Sequence, residues 1–256
     1  MSKLLKKFCG IFGYKLFKKD YIKSKRYLST LNKLNLENII KNLAEKKNIN
    51  SLIQIGACDG IKGDFLNNAI KELRLKALLL EPIKKNFDNL KSTYLNYDNV
   101  KIENSALSVN NEINFLYKVD EKFLNNYGGE GAQSIIDVIP SFYKDHLIKH
   151  GIKERHIVQE KVNQISFTDL LKKYNINNFD LLAIDTEGYD CQIVNNFLLE
   201  IKNIRPIIIF EWFNTKNSLL EITCDEINKN NYSLYIFEND ILCLPIEKNI
   251  TLQITN

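Results

Sequence analysis

The chain has 256 residues, a mass of 29.8 kDa and an apolar fraction of 45%, enough for one large buried core and therefore one main domain. Its five cysteines, Cys9, Cys58, Cys191, Cys224 and Cys243, form no CxxC pair, which argues against a structural zinc site or disulfide framework and suits a reducing, cytoplasmic setting. The net charge of +4 is unevenly held: residues 1–26 carry nine basic side chains against Asp20, so residues 27–256 sum to −4 and nucleic-acid binding by the body is disfavoured.

The opening stretch, residues 1–26, mixes leucines and phenylalanines with lysines, as a basic amphipathic helix does. Adsorption to the inner, anionic face of a membrane is one reading, a peripheral contact rather than a span. A surface arm packed on the core is the other, and Gly10 and Gly13 favour it by weakening a continuous helix. No apolar run reaches the roughly 18 residues of a membrane span, and no secretory h-region follows the first lysines. Leu36, Ile39, Ile40 and Leu43 recur at helical period, predicting a leading helix that closes an N-terminal segment of residues 1–46.

From 47 to 256 the pattern alternates. Strands are predicted at Ser51 to Ile55, Ala77 to Glu81, Val100 to Glu103, Phe179 to Asp185 and Ile204 to Trp212, with helices at Gly63 to Leu73, Lys84 to Tyr94 and Phe167 to Tyr174. Runs such as "LLAI" and "IIIF" are apolar on both faces, as central parallel strands covered by helices are. The expected fold is a doubly wound, Rossmann-like α/β domain, with "YSLYIF" and "ILCLPI" as an antiparallel C-terminal hairpin. Residues 120–156 break the alternation and predict an insertion that shapes a substrate pocket. Within it, His146 and His150 read as surface histidines, while Gln133 and Ser134 suit a substrate contact or a turn equally well. His156 suits a solvated strand start, and Ser166 with Asp169 a helix cap.

Two stretches carry chemistry. "LIQIGACDGIKGD" runs from a strand into Gly56, Ala57, Cys58, Asp59 and Gly60, then a helix. The glycine spacing is not that of a dinucleotide fingerprint, the Gly-Lys-Ser/Thr of a phosphate loop is missing, and Asp59 would repel a pyrophosphate. Glu81 ends the second strand twenty-one positions after Gly60, where it is placed to accept ribose hydroxyls. An open first turn without phosphate chemistry, together with that acid, points to S-adenosylmethionine. The second stretch, "AIDTEGYD", sets Asp185, Glu187 and Asp190 after an apolar strand, with Glu211 expected on the neighbouring strand end. Asp185 is placed to act as a base or to hold the acceptor, Glu187 to shape the acceptor pocket, and Asp190 to start a helix. Asp185 and Glu211, with Asn214, also suit Mg²⁺, although substrate binding accounts for the same residues, so no metal is assigned.

"IGACDG", "LLLEPIKKNFDNL", "ENSALS", "SFTDLLKKYNINNFDLLAIDTEGYD" and "IIIFEWF" follow one another as do the motifs of the FkbM-type methyltransferases, a class I S-adenosylmethionine-dependent family that this sequence resembles from Ser51 to Phe213. The resemblance implies a seven-stranded, mostly parallel sheet and O-methylation of a sugar, a glycan precursor or another hydroxylated metabolite. It also implies that Gly56, Ala57, Asp59 and Gly60 hold the amino-acid end of the cofactor and Glu81 its ribose, that Asn104, Ser105 and Ala106 lie near its adenine, and that Pro82 belongs to the same cofactor site. Cys58 and Tyr189 depart from the family, which usually has a polar and a small residue there, and Tyr189 is expected to alter the pocket. Two rival readings are an NAD-linked enzyme, disfavoured by the glycine spacing, and a non-catalytic α/β module docked to a membrane through residues 1–26.

Overall fold

The structure, a computed structural model, describes residues 36–111, 113–123, 135–136, 152–212, 214–237 and 239–250. The basic segment 1–26 and the residues His146, His150, Gln133 and Ser134 lie outside these. The leading helix α1 (Leu36–Glu45) is followed by β1 (Ser51–Ile55), α2 (Asn67–Glu72), β2 (Lys76–Leu80), α3 (Lys84–Thr93) and β3 (Val100–Glu103). Short strands β4 (Ala106–Leu107), β5 (Phe115–Val119), β6 (Ile135–Ile136), β7 (Ile157–Lys161) and β8 (Gln164–Ile165) come next. The chain then returns to alternation with α4 (Phe167–Tyr174), β9 (Leu181–Ile184), α5 (Asp190–Glu200), β10 (Ile207–Glu211), α6 (Asn217–Lys229), β11 (Tyr232–Ile236) and β12 (Asp240–Pro245).

Seven strands form one sheet in the order β11-β12-β10-β9-β1-β2-β3. Six run in one direction, and only β12 runs against its neighbours β10 and β11. The C-terminal hairpin is present, and its returning strand enters between β10 and β11 instead of extending the edge. Because side chains alternate along a strand, each central strand feeds two cores. Ile53, Ile55, Leu182, Ile184, Ile208 and Phe210 pack with residues of α4, α5 and α6. Leu52, Leu181, Ala183, Ile207 and Ile209 pack with residues of α1, α2 and α3 on the other face. This two-sided burial explains why these strands read as unbroken apolar runs. No helix of the described residues is long and apolar enough to cross a membrane.

The sequence expectation departs from the structure after β1. Helix α2 begins at Asn67, four residues later than its apolar spacing suggests, because residues 59–66 are held in turns. Asp59 accepts the backbone N–H groups of Ile61 (2.9 Å) and Lys62 (3.0 Å), and Asp64 accepts that of Leu66 (2.8 Å). Such side-chain acceptors compete with helix formation. Ser166 caps α4 as expected, accepting from the Asp169 N–H (3.1 Å) and donating to its carboxylate (2.8 Å).

The strands that flank the 120–156 segment, β5 and β7, pair with each other and, with β6 from within the segment, form a second, three-stranded antiparallel sheet, β6-β5-β7. Its two ends meet where the Asp120 N–H donates to the His156 carbonyl (2.8 Å) and the Phe123 ring stacks on His156 at 3.7 Å. His156 is therefore buried, not a solvated strand start.

Candidate functional site

The carboxyl ends of the parallel strands are tied to one another. The Gly56 and Ala57 N–H groups donate to Leu80, Glu81 to Glu103, and Asp185 to Ile55, all at 2.9–3.0 Å. The turn after β1 and the loops after β2, β3 and β9 thus face a common cleft of about 220 Å³, where ligands bind in open α/β sheets. Gly56, Cys58, Asp59, Glu81, Pro82, Ser105, Ala106, Asp185 and Glu187 line it, joined by Lys62, Lys85, Asn86, Asn89, Leu116 and Thr186. A Cβ at Gly56, whose φ is +83°, would lie 1.8 Å from the Asp185 carbonyl oxygen, so only glycine lets the two strand ends approach this closely.

Glu81 is buried at the cleft wall, and its carboxylate accepts the backbone N–H groups of Cys58 (2.9 Å) and Ile83 (2.9 Å). Burial pushes its pKa up to about 7, against the lowering effect of those two donors and of Asn86. Cys58 reaches this contact in a left-handed conformation, φ +49°, and its thiol is pushed up to about 11 by burial and then by Glu81. Ser105 is buried beside it and donates to Glu103 (2.8 Å), which also receives Lys173 (2.6 Å) and the Tyr174 hydroxyl (2.7 Å).

Opposite Glu81 stand the acids of "AIDTEGYD". Asp185 and Glu187 reach the water of the cleft although protein surrounds them. Desolvation raises both, Glu187 to about 7 with Asp185 adding to it, while Asn214 opposes. Glu211, next to Asp185 by the β9–β10 register, is pushed up to about 9, by burial first and then by Glu187, Asp185, Asp190 and Asp240. The Asn214 amide donates to both Glu187 (2.8 Å) and Glu211 (3.0 Å). Asp190 is fully buried, and its carboxylate accepts the Gly188 N–H (2.9 Å), the Thr186 hydroxyl (3.0 Å) and the Thr186 N–H (3.3 Å). It builds the loop that carries Glu187, which itself sits at φ +54°.

Four of the predicted residues do not line the cleft. Ala57 is buried in the core on the α1–α3 face. A Cβ on Gly60 would come within 2.7 Å of Leu90 and 2.8 Å of Tyr94, so this glycine admits α3, not a ligand. Asn104 turns its amide to the Glu81 and Pro82 carbonyls (2.8 and 3.1 Å) and fixes the Glu81 loop. Glu211 touches the site through Asn214 and Glu187. Nor does Tyr189 alter the pocket: it is buried in the core and its hydroxyl accepts the Val109 N–H (3.0 Å). Sequence reasoning missed Thr186, Asn86, Asn89, Lys62, Lys85 and Leu116; all but Leu116 lie inside stretches already singled out, where nothing local told them from their neighbours.

S-adenosylmethionine fits these residues better than a dinucleotide does. Asp59, Glu81, Asp185 and Glu187 put four carboxylates on the wall against Lys62 and Lys85, an arrangement that repels a pyrophosphate and suits a sulfonium cation. Neither Asp185 nor Glu187 is ion-paired among the described residues. Among those residues no group of three or more His, Cys, Asp or Glu is arranged to hold a metal ion.

Among solved structures the chain is similar to methyltransferase FkbM from Methylobacillus flagellatus KT (10% identity, TM-score 0.45), covering 77% of this chain and 44% of that one. It therefore spans less than half the length of that protein. It is also similar to human methyltransferase 10 domain containing protein (11%, 0.42, covering 81% and 80%). A third is an O-methyltransferase from Bacillus cereus in complex with SAH (10%, 0.38, covering 94% and 96%). Among curated proteins, no sequence matches significantly. The model of the methyltransferase FkbM domain matches residues 54–234, well over half of the chain. The chain thus belongs to the FkbM methyltransferase family.

Proposed function

We propose that this methyltransferase takes its methyl group from S-adenosylmethionine and places it on a hydroxyl of a sugar, a glycan precursor or a similar metabolite. The observation that carries the reading is one cleft with Glu81 on one side of Gly56 and Asp185 with Glu187 on the other. In it Glu81 would accept the ribose hydroxyls, the Gly56 to Asp59 turn would face the amino-acid end, and Ser105 and Ala106 would lie against the adenine. When bound, the cofactor supplies an electrophilic methyl group. The protein's largest contribution is alignment of the acceptor oxygen with that carbon. An alcohol is a weak nucleophile, so Asp185 would take its proton as the C–O bond forms and the C–S bond to the departing thioether breaks, a contribution of typically ~10²–10⁴-fold. Glu187, held by Asn214, would orient the acceptor, and Glu211 would hold the other side of the same Asn214 amide.

Calorimetry tests the donor side: S-adenosylmethionine binds, NAD does not, and Glu81→Ala weakens S-adenosylmethionine binding about tenfold or more by removing paired hydroxyl contacts. NAD binding instead would favour the dehydrogenase reading, and cofactor binding without any transfer the non-catalytic one. Tritiated methyl transfer to glycan and lipid-linked sugar extracts tests the acceptor side. Label in an alkali-stable ether supports O-methylation of a hydroxyl, and label released by alkali as an ester overturns it.

A further inference from the structure

One wall of the cleft does not belong to the main sheet. Leu116, fully buried, reaches the cleft from β5, in the small sheet beside the first turn of α3. Its cross-strand partner on β7 is Glu160, so the two side chains stand on the same face of the small sheet. Glu160 Oε1 accepts the backbone N–H of Lys84, the first residue of α3, at 3.1 Å. Helix α3 has no side-chain cap of its own at Ile83 and no acid in its first turn, so a carboxylate from β7 supplies both the missing acceptor and the favourable charge.

The attachment is doubled. Glu160 Oε2 pairs with Lys118 of β5, whose side chain is only 15% exposed. Lys85, which lines the cleft, pairs with Glu121 just after β5 at 3.5 Å. Consecutive residues of one helical turn, 84 and 85, are thereby strapped to the strand pair that presents Leu116. The same turn follows Glu81 and Pro82, whose chain contacts the Ile83 N–H through the Glu81 carboxylate.

We propose that Glu160 is a positioning residue for the cofactor: by capping α3 from the neighbouring sheet, it fixes the distance between Leu116 and the Glu81 to Asn89 side of the cleft. This rests on the reading of the cleft as an S-adenosylmethionine site. Nothing in the sequence flags Glu160, since its partners lie 42 and 76 positions away.

The test uses the full chain and S-adenosylhomocysteine, with affinity measured by calorimetry and folding by thermal denaturation. Glu160→Ala lowers the affinity about fivefold or more, in the range of a lost helix cap. Glu160→Gln keeps an acceptor oxygen for the Lys84 N–H but loses the charge, so its affinity falls between Ala and wild type. Wild-type affinity weakens at about 0.5 M salt, and the Gln variant responds less. A merely structural role would lower the melting temperature and leave the affinity of the folded protein unchanged. If Glu160→Ala does not fold, Glu160→Gln decides alone. Variants that bind within about twofold of wild type overturn the proposal and leave the methyltransferase reading standing. A wild type that does not bind S-adenosylhomocysteine overturns both.

Discussion

Asp185 follows a strand whose four residues are all buried, and the ladder that ends there delivers its carboxylate to the cleft at a position set by backbone geometry. Glu211 on the next strand stays behind Asn214. The two acids, alike in sequence, thus stand at different depths. Asp185→Asn keeps the size of the side chain and removes the proposed base, so on that proposal kcat falls about 100-fold or more while S-adenosylhomocysteine affinity stays within a few-fold. Single-turnover transfer of labelled methyl to the acceptor found by the extract screen measures the first, and calorimetry the second. Full turnover in this variant would assign the proton to another group. Asp185 and Glu81 were legible because each ends an apolar run, and Glu187 because it follows in the turn after Asp185. The Asn214 bridge was not, because Glu187 and Asn214 are brought together by adjacent strand ends 27 positions apart.

At the scale of elements, the main strands could be read from the sequence because burial on both faces leaves no polar position to blur them. Helix α2 was misjudged by four residues, since Ile61 and Phe65 keep an apolar rhythm through turns that Asp59 and Asp64 impose. The small sheet was missed because its pairing is non-local and its strands are half exposed. Gly60 was read as open to either a ligand or a helix, and the structure selects the helix. Gly60→Ala therefore lowers stability by about 2–4 kcal/mol, combining left-handed backbone strain with overpacking against Leu90 and Tyr94. Gly63 shares a positive φ, +69°, with nothing within 4 Å of a Cβ. Gly63→Ala consequently shows the strain alone, and the difference in melting temperature between the two variants measures the closeness of α3 to the turn after β1.

Over the whole molecule, the carboxyl end of the sheet gathers acids that hold their protons more tightly than they would in the unfolded chain. Glu81 and Glu187 are raised to about 7, Asp190 to about 8 and Glu211 to about 9, each through burial first. A raised acid contributes stability that is complete below its unfolded pKa and is lost as pH rises through the folded value. The melting temperature of the ligand-free protein therefore falls by several degrees between about pH 5 and pH 9. Glu211→Gln flattens the upper part of that decline. At the acid end, Glu103 and Glu247 are held below their usual values, Glu103 by Lys173, Tyr174 and Ser105 against its burial and Glu247 by Arg205. Their protonation limits stability there. A flat profile in a pH series of thermal melts would contradict this picture.

The joint at the base of the 120–156 segment bears on how such a protein diversifies. Its two ends are closed by the β5–β7 ladder, the Asp120 to His156 hydrogen bond and the Phe123 to His156 stack, and β6, from within the segment, pairs with the other edge of β5. Closing a longer or shorter loop on such a joint changes the entropy only slowly with length. Insertions or deletions on either side of β6 thus act on a joint that is already closed, and the length of the segment is decoupled from the geometry of the cleft beneath it.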